Sequence, residues 1–148
     1  MHHRNMSGGE TIQPAEIRMR TAQCGCGAVK LTCEGEPVRV SVCHWLNCKR
    51  RSGSAFAVQA RWPDAQVIRS GETRQWQLTG DEGGVATFHF CPTCGATAWY
   101  TLDSMPGVVA VPLGAFADPD FTPYPWISVY EGRKCPWLEI NGDIERWE

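Results

Sequence analysis

Two pairs of cysteines constrain this chain more than any other feature. Phe90-Cys91-Pro92-Thr93-Cys94-Gly95 places two thiols three positions apart and follows them with glycine. That spacing is a metal knuckle: a tight turn aims both sulfurs at one point, and Gly95 can take the positive φ that a side chain resists. Upstream, Cys24-Gly25-Cys26-Gly27 supplies a second pair. Four thiolates satisfy a tetrahedral zinc ion, and a closed four-sulfur site is structural, not catalytic. Such an ion at Cys24, Cys26, Cys91 and Cys94 ties the start of the domain to its middle, because residues 27–90 lie between the pairs.

Cysteine usage fits this reading. The chain has 8 cysteines in 148 residues. The segment from Met1 to Arg20 is polar and has no apolar core of the kind a secretory signal needs. It is expected to be a mobile leader (1–20), with one zinc-binding β domain over 21–148. Without a secretory signal the compartment is expected to be the reducing cytoplasm, where metal binding and free thiols are favoured over disulfides. A net charge of -2 argues against a general nucleic-acid or membrane-surface binder. No apolar run is long enough to span a bilayer.

The periodicity is that of short strands. Val29, Leu31 and Cys33 alternate with Lys30, Thr32 and Glu34, so Cys33 is expected in the core as a small hydrophobe. Gly35-Glu36-Pro37 turns the chain. Val38, Val40 and Val42 then alternate with Arg39, Ser41 and Cys43, which places Cys43 on the face opposite the valines. Further strands are expected over Ser54–Trp62, Val67–Ser70, Thr73–Leu78, Val85–Phe90, Ala96–Leu102, Val108–Leu113 and Trp126–Tyr130. Gly80–Gly84 reads as an acidic, glycine-rich hairpin loop. Asp118–Pro125 carries three prolines that block helix. Cys135 to Ile140 is expected to close the domain. The fold class is therefore mainly β: small zinc-clipped antiparallel sheets with little helix.

Between two of these strands lies Cys43-His44-Trp45-Leu46-Asn47-Cys48-Lys49-Arg50-Arg51-Ser52-Gly53. It is too polar and irregular for a central strand and reads as a loop or a single helical turn. Cys43 and Cys48 are spaced Cys-x4-Cys, wider than a knuckle. They fit three descriptions: plain thiols, ligands of a second metal completed from elsewhere, or reactive thiols made acidic by Lys49, Arg50 and Arg51. A basic run of this kind is most often a solvated face. It can also receive substrate carboxylates through the arginine fork.

Four segments carry a resemblance. They are Cys24-Gly25-Cys26-Gly27-Ala28-Val29, the run from Cys43-His44 through Cys48 to Phe56, Phe90 to Gly95, and Pro136-Trp137-Leu138-Glu139-Ile140. In order and spacing the chain resembles the glutathione-dependent formaldehyde-activating enzyme family, which includes centromere protein V. The resemblance implies a tent-like β fold and a structural zinc on Cys24, Cys26, Cys91 and Cys94. It implies a second, catalytic zinc on three cysteines arranged Cys-His-Cys-x-x-Cys. Those positions fall here on Cys43, Trp45 and Cys48. Indole has no lone pair available for zinc, so this chain departs from the pattern at the middle ligand. A substitute such as His44 or a substrate thiolate is needed there; Cys135, just before Pro136-Trp137, is a more distant candidate.

Two functions follow as expectations. The first is a carbon–sulfur lyase, with Cys43 and Cys48 as catalytic residues and a small-molecule thiol such as glutathione as partner, neither nucleic acid nor membrane being involved. The family reaction joins formaldehyde to glutathione, giving S-hydroxymethylglutathione. The second is a non-catalytic, zinc-stabilised binding module in which Trp45 fills the vacated metal position.

Overall fold

A computed structural model describes residues 18–148. The leader expected over 1–20 lies outside the described residues except for its last three, and Met19 and Arg20 already belong to the first strand.

Eleven strands follow in chain order: β1 Met19–Gln23, β2 Lys30–Glu34, β3 Arg39–Cys43, β4 Ala57–Pro63, β5 Val67–Ser70, β6 Arg74–Thr79, β7 Val85–Phe90, β8 Thr97–Leu102, β9 Val108–Pro112, β10 Ile127–Val129 and β11 Glu145–Arg146. One helical segment, α1 Leu46–Ser52, follows β3. They form a small sheet of order β1-β2-β5 and a large one of order β11-β10-β3-β4-β9-β8-β7-β6. The expected mainly β fold is observed. Most pairings are antiparallel hairpins, but β10 runs parallel to both β3 and β11. That parallel addition is possible because the long proline-rich stretch after β9 returns the chain to the edge of β3.

The core lies between the two sheets. The small sheet contributes Ala22, Leu31 and Cys33, and the large sheet Val40, Ala60, Trp62, Val109 and Val111. Both sets follow strand alternation, one face in and one face out. Cys33 is fully buried, as its phase with Leu31 requires, and burial pushes its thiol up to about 12. Trp62 anchors the layer. Its ring packs against Phe116 and Phe121, and its Nε1–H donates to the Gly35 carbonyl at 3.0 Å. A buried indole of roughly 200 Å² contributes about 5 kcal/mol by area, an upper bound. The hydrogen bond joins a large-sheet strand to the turn that leaves the small sheet.

The opposite face of the large sheet is not covered by the small one. There Arg39, Ser41 and Cys43 of β3, Gln59 and Arg61 of β4, and Phe88 and Tyr100 of β7 and β8 line a cleft. Thus β3 and β4 carry core residues on one face and polar, chemically capable residues on the other. No helix among the described residues is long and apolar enough to cross a membrane.

Candidate metal centre and thiol cleft

The Cys24–Cys26 loop joins β1 to β2, and the Cys91–Cys94 loop joins β7 to β8. The fold brings these two hairpin ends together. All four Sγ atoms lie within 4.8 Å of one another. Cys24 and Cys26 are 3.7 Å apart and Cys26 and Cys91 3.6 Å apart. Tetrahedral zinc with Zn–S near ~2.3 Å demands S···S separations of about 3.8 Å, so the donor set and its spacing both fit. The two loops share a construction. Gly27 and Gly95 take φ of 78° and 77°, where a side chain would be strained. The Gly27 amide donates to the Cys24 carbonyl and the Gly95 amide to the Cys91 carbonyl. Backbone amides also point at sulfur: Val29 N–H donates to Cys24 Sγ at 3.2 Å and Thr93 N–H to Cys91 Sγ at 3.4 Å. Desolvation opposes ionisation of Cys24. The Val29 amide and the neighbouring thiols outweigh it and hold its pKa down to about 6. Cys94 is likewise held down by backbone amides. At Cys26 the backbone hydrogen bond is outweighed by the neighbouring sulfurs, which push its pKa up to about 11. The cluster without a cation therefore concentrates its negative charge on part of the set.

The second pair lies at the bottom of the cleft, whose volume is about 600 Å³. Cys43 ends β3, and Cys48 sits in the first turn of α1. Their Sγ atoms are 3.2 Å apart, close enough to share a proton. Cys43 is the acidic member: the hydrogen bond with Cys48 lowers its pKa, and the charges of Arg51 and Arg61 act in the same direction against burial. Cys48 is pushed up correspondingly by the Cys43 sulfur and by burial. One negative charge shared over two sulfurs is the physical reading of the pair.

The neighbours of this pair fall differently from one another. His44 is fully buried and turned away, its Nε2 2.9 Å from Ser128 Oγ on β10. This is the opposite-face placement expected of a residue adjacent to Cys43. Trp45 precedes α1, lines the cleft and stacks on Tyr130 with ring centroids 5.9 Å apart. Cys135 lies 3.7 Å from Lys49 Nζ, outside the cleft lining. Among the described residues the only cluster of three or more metal-ligating side chains is the four-cysteine set. Cys43 and Cys48 therefore lack a third protein donor, and the residues present do not fit a three-thiolate zinc.

The basic run separates into three fates. Lys49 donates to the Arg133 carbonyl, and Arg50 points to Asn47 at the surface. Only Arg51 reaches the cleft, with its guanidinium 4.9 Å from the Phe88 ring centre and 5.1 Å from that of Tyr100. All three basic residues also complement the C-terminal end of a short helix, which suffices to explain the run. The cations that sequence reasoning missed are Arg39 and Arg61. Arg39 shares a face with Cys43 in the alternation of β3, whereas Arg61 joins them only through the pairing of β3 with β4.

Fold and site together define a class: a mainly β protein clipped by paired cysteine knuckles and opened by a two-thiol cleft. A family model described as glutathione-dependent formaldehyde-activating enzyme matches residues 19–133, and the chain belongs to that family. The match spans the four-cysteine cluster and both cleft thiols. No curated protein matches the chain. A crystal structure of a Rhodobacter sphaeroides protein is similar, with a TM-score of 0.53 and 19% identity over 86% of this chain and 99% of that one. At that identity the likeness concerns the fold alone.

Proposed function

We propose that this protein makes and breaks the carbon–sulfur bond of a thiol–aldehyde adduct, with glutathione or a related small thiol as substrate. In this reading Cys24, Cys26, Cys91 and Cys94 hold one structural zinc, and Cys43 and Cys48 are the reacting pair. Its setting is a reducing compartment such as the cytoplasm. The observation that carries the proposal is the pair of thiols 3.2 Å apart in an open cleft that also presents Arg39, Arg51 and Arg61. Family membership supports the same reaction class.

The chemistry needs one proton to leave sulfur and one to reach oxygen. Cys43, ionised, takes the proton of the substrate thiol. The substrate thiolate attacks the aldehyde carbon, forming the C–S bond while the C=O π pair moves to oxygen. Cys48 gives its proton to that oxygen. The pair is left with the proton on Cys43 and the charge on Cys48, and a proton hop between the two sulfurs restores the starting state. Reversal of the same steps splits the adduct. General acid–base assistance of this kind contributes roughly 10²–10⁴-fold. No step is routed through a zinc at this pair, because Trp45 stands where a third thiolate is required. A structural zinc at the other four cysteines supplies cross-linking between the two hairpin ends and leaves the chemistry to the cleft.

Trp45 favours a second reading, a binding module that keeps the cleft without turnover. Exchange spectroscopy with ¹³C-formaldehyde and glutathione separates the two. The lyase reading expects the parent to accelerate adduct exchange above buffer and Cys43→Ser to lose at least about tenfold of that acceleration. Exchange no faster than in buffer, from a folded parent that still binds the thiol, establishes the binding module instead.

A further inference from the structure

The floor of the cleft sets two arginines face to face. Arg39 on β3 and Arg61 on β4 are register partners, as are Ser41 and Gln59 one step along the same face. Like charges directly opposite each other destabilise a strand pair. Here one of them, Arg61, is only 7% exposed, and the charge of Arg39 opposes its ionisation after burial itself. Neither arginine is in a direct ion pair: none of the four ion pairs among the described residues involves Arg39, Arg51 or Arg61. Asp81, Glu82 and Asp103 line the cleft, yet none of them is in those pairs with an arginine of the floor. A buried cation without an ion pair is costly, and a second, half-buried one in register adds to the cost.

The hydrogen bonds repeat this pattern. Arg61 donates to Ser41 Oγ at 2.7 Å, and Gln59 Nε2 donates to the same oxygen at 2.7 Å. Ser41 thus accepts twice, and its own O–H remains to be given. Arg39 Nε and Arg51 Nε are buried without a partner, and so is the acceptor Gln59 Oε1. Gln59 is 3% exposed, so this acceptor has little access to bulk water. The face offers surplus donors and positive charge for an anion, with one buried acceptor beside them for an N–H.

We propose that Arg39, Arg61 and Ser41 form a carboxylate subsite, with Gln59 receiving an adjacent N–H, so that the cleft selects thiols bearing the carboxylate end of an amino acid or short peptide. This rests on the cleft being the substrate site argued above. The cleft thiols share this face: Cys43 stands on β3 two positions beyond Ser41. The arginine pair anchors the substrate's carboxylate and leaves its sulfur to the thiol pair. Asp81, Glu82 and Asp103 equal the three arginines in number but pair with none of them, so the guanidinium groups of the floor remain open to a substrate carboxylate.

The test is a binding measurement without aldehyde or turnover. Quenching of Trp fluorescence, or calorimetry, compares N-acetylcysteine with N-acetylcysteinamide, which differ in the carboxylate alone. The parent is expected to bind the acid at least about tenfold tighter, the discrimination a single buried charged hydrogen bond supplies. Arg61→Met, close in length and uncharged, should bring the two affinities to within about twofold, and Arg61→Lys should keep part of the preference. If Arg61→Met does not fold, Arg39→Met at the half-buried partner carries the same test. Equal affinities for acid and amide in the parent, or an unchanged preference in a folded Arg61→Met or Arg39→Met, overturn the subsite. Acid preference without adduct exchange leaves the subsite standing and removes the lyase reading. Exchange without acid preference does the reverse.

Discussion

Replacing Cys94 by serine isolates the four-cysteine cluster. Cys94 is exposed, so the substitution removes a ligand without opening a cavity in the core. The cluster joins positions as far apart as Cys26 and Cys91, 65 residues along the chain. Treated as a cross-link closing a loop of that length, it lowers the entropy of the unfolded chain by an amount worth about 4 kcal/mol. For a domain of this size that corresponds to roughly 8–16 °C in Tm. The zinc–sulfur bonds add to the tether, so this figure is a lower bound for a fully occupied site. Cys94→Ser should therefore lose most of its zinc by elemental analysis and melt at least about 8 °C below the parent. Chelation of the parent should produce a similar drop. Cys33→Ser is the control: it should keep its zinc and lose only about 1–3 kcal/mol for a buried hydroxyl. A Cys94→Ser protein with full zinc and the parent's melting curve would refute the ligand assignment, and with it the account of how the two sheets are held together.

Two further outcomes are expected. Near neutral pH, mass mapping after brief alkylation should find Cys43 or Cys48 modified first. The zinc cysteines should react only after chelation, and Cys33, held up near 12, should not react in the folded state; labelling of Cys91 or Cys94 first, with zinc still bound, contradicts the site. Trp45→Cys should add about one zinc per chain, since three thiolates with one open position make a competent centre, at a folding cost of about 0.5–1.5 kcal/mol for the lost stacking on Tyr130. A folded Trp45→Cys with unchanged zinc content means that the geometry of Cys43 and Cys48 no longer supports a metal.

The fold was legible where a residue's type dictates its backbone or its face. Alternation gave β2 through Val29, Leu31 and Cys33, and the knuckle glycine Gly95 announced the positive φ it adopts. β5 and β7 fall on the expected residues. β11, only Glu145–Arg146, carried no pattern, because a two-residue strand is specified by its parallel partner β10 and not by its own sequence. β1 was hidden for a related reason. Met19–Gln23 is polar on its exposed face, and its one fully buried residue, Ala22, is too small to signal a core position.

The site divides along the same physical line. Local spacing gave the thiol pair and the four-cysteine set, since a knuckle is a property of a few adjacent residues. It could not give the cleft cations, because Arg39 and Arg61 are 22 positions apart and become a pair only through the register of β3 with β4. The consecutive basic residues Lys49, Arg50 and Arg51 lie at a helix end, where two of the three serve the surface. Strand pairing thus put the charges of the cleft on β3 and β4, the strands that also present Cys43 and Gln59 to it. A substitution that shifted the register of β3 by one residue would turn Arg39, Ser41 and Cys43 towards the core together. Charge and thiol chemistry in this cleft consequently depend on one strand register, which Val40 and Trp62 hold from the opposite face.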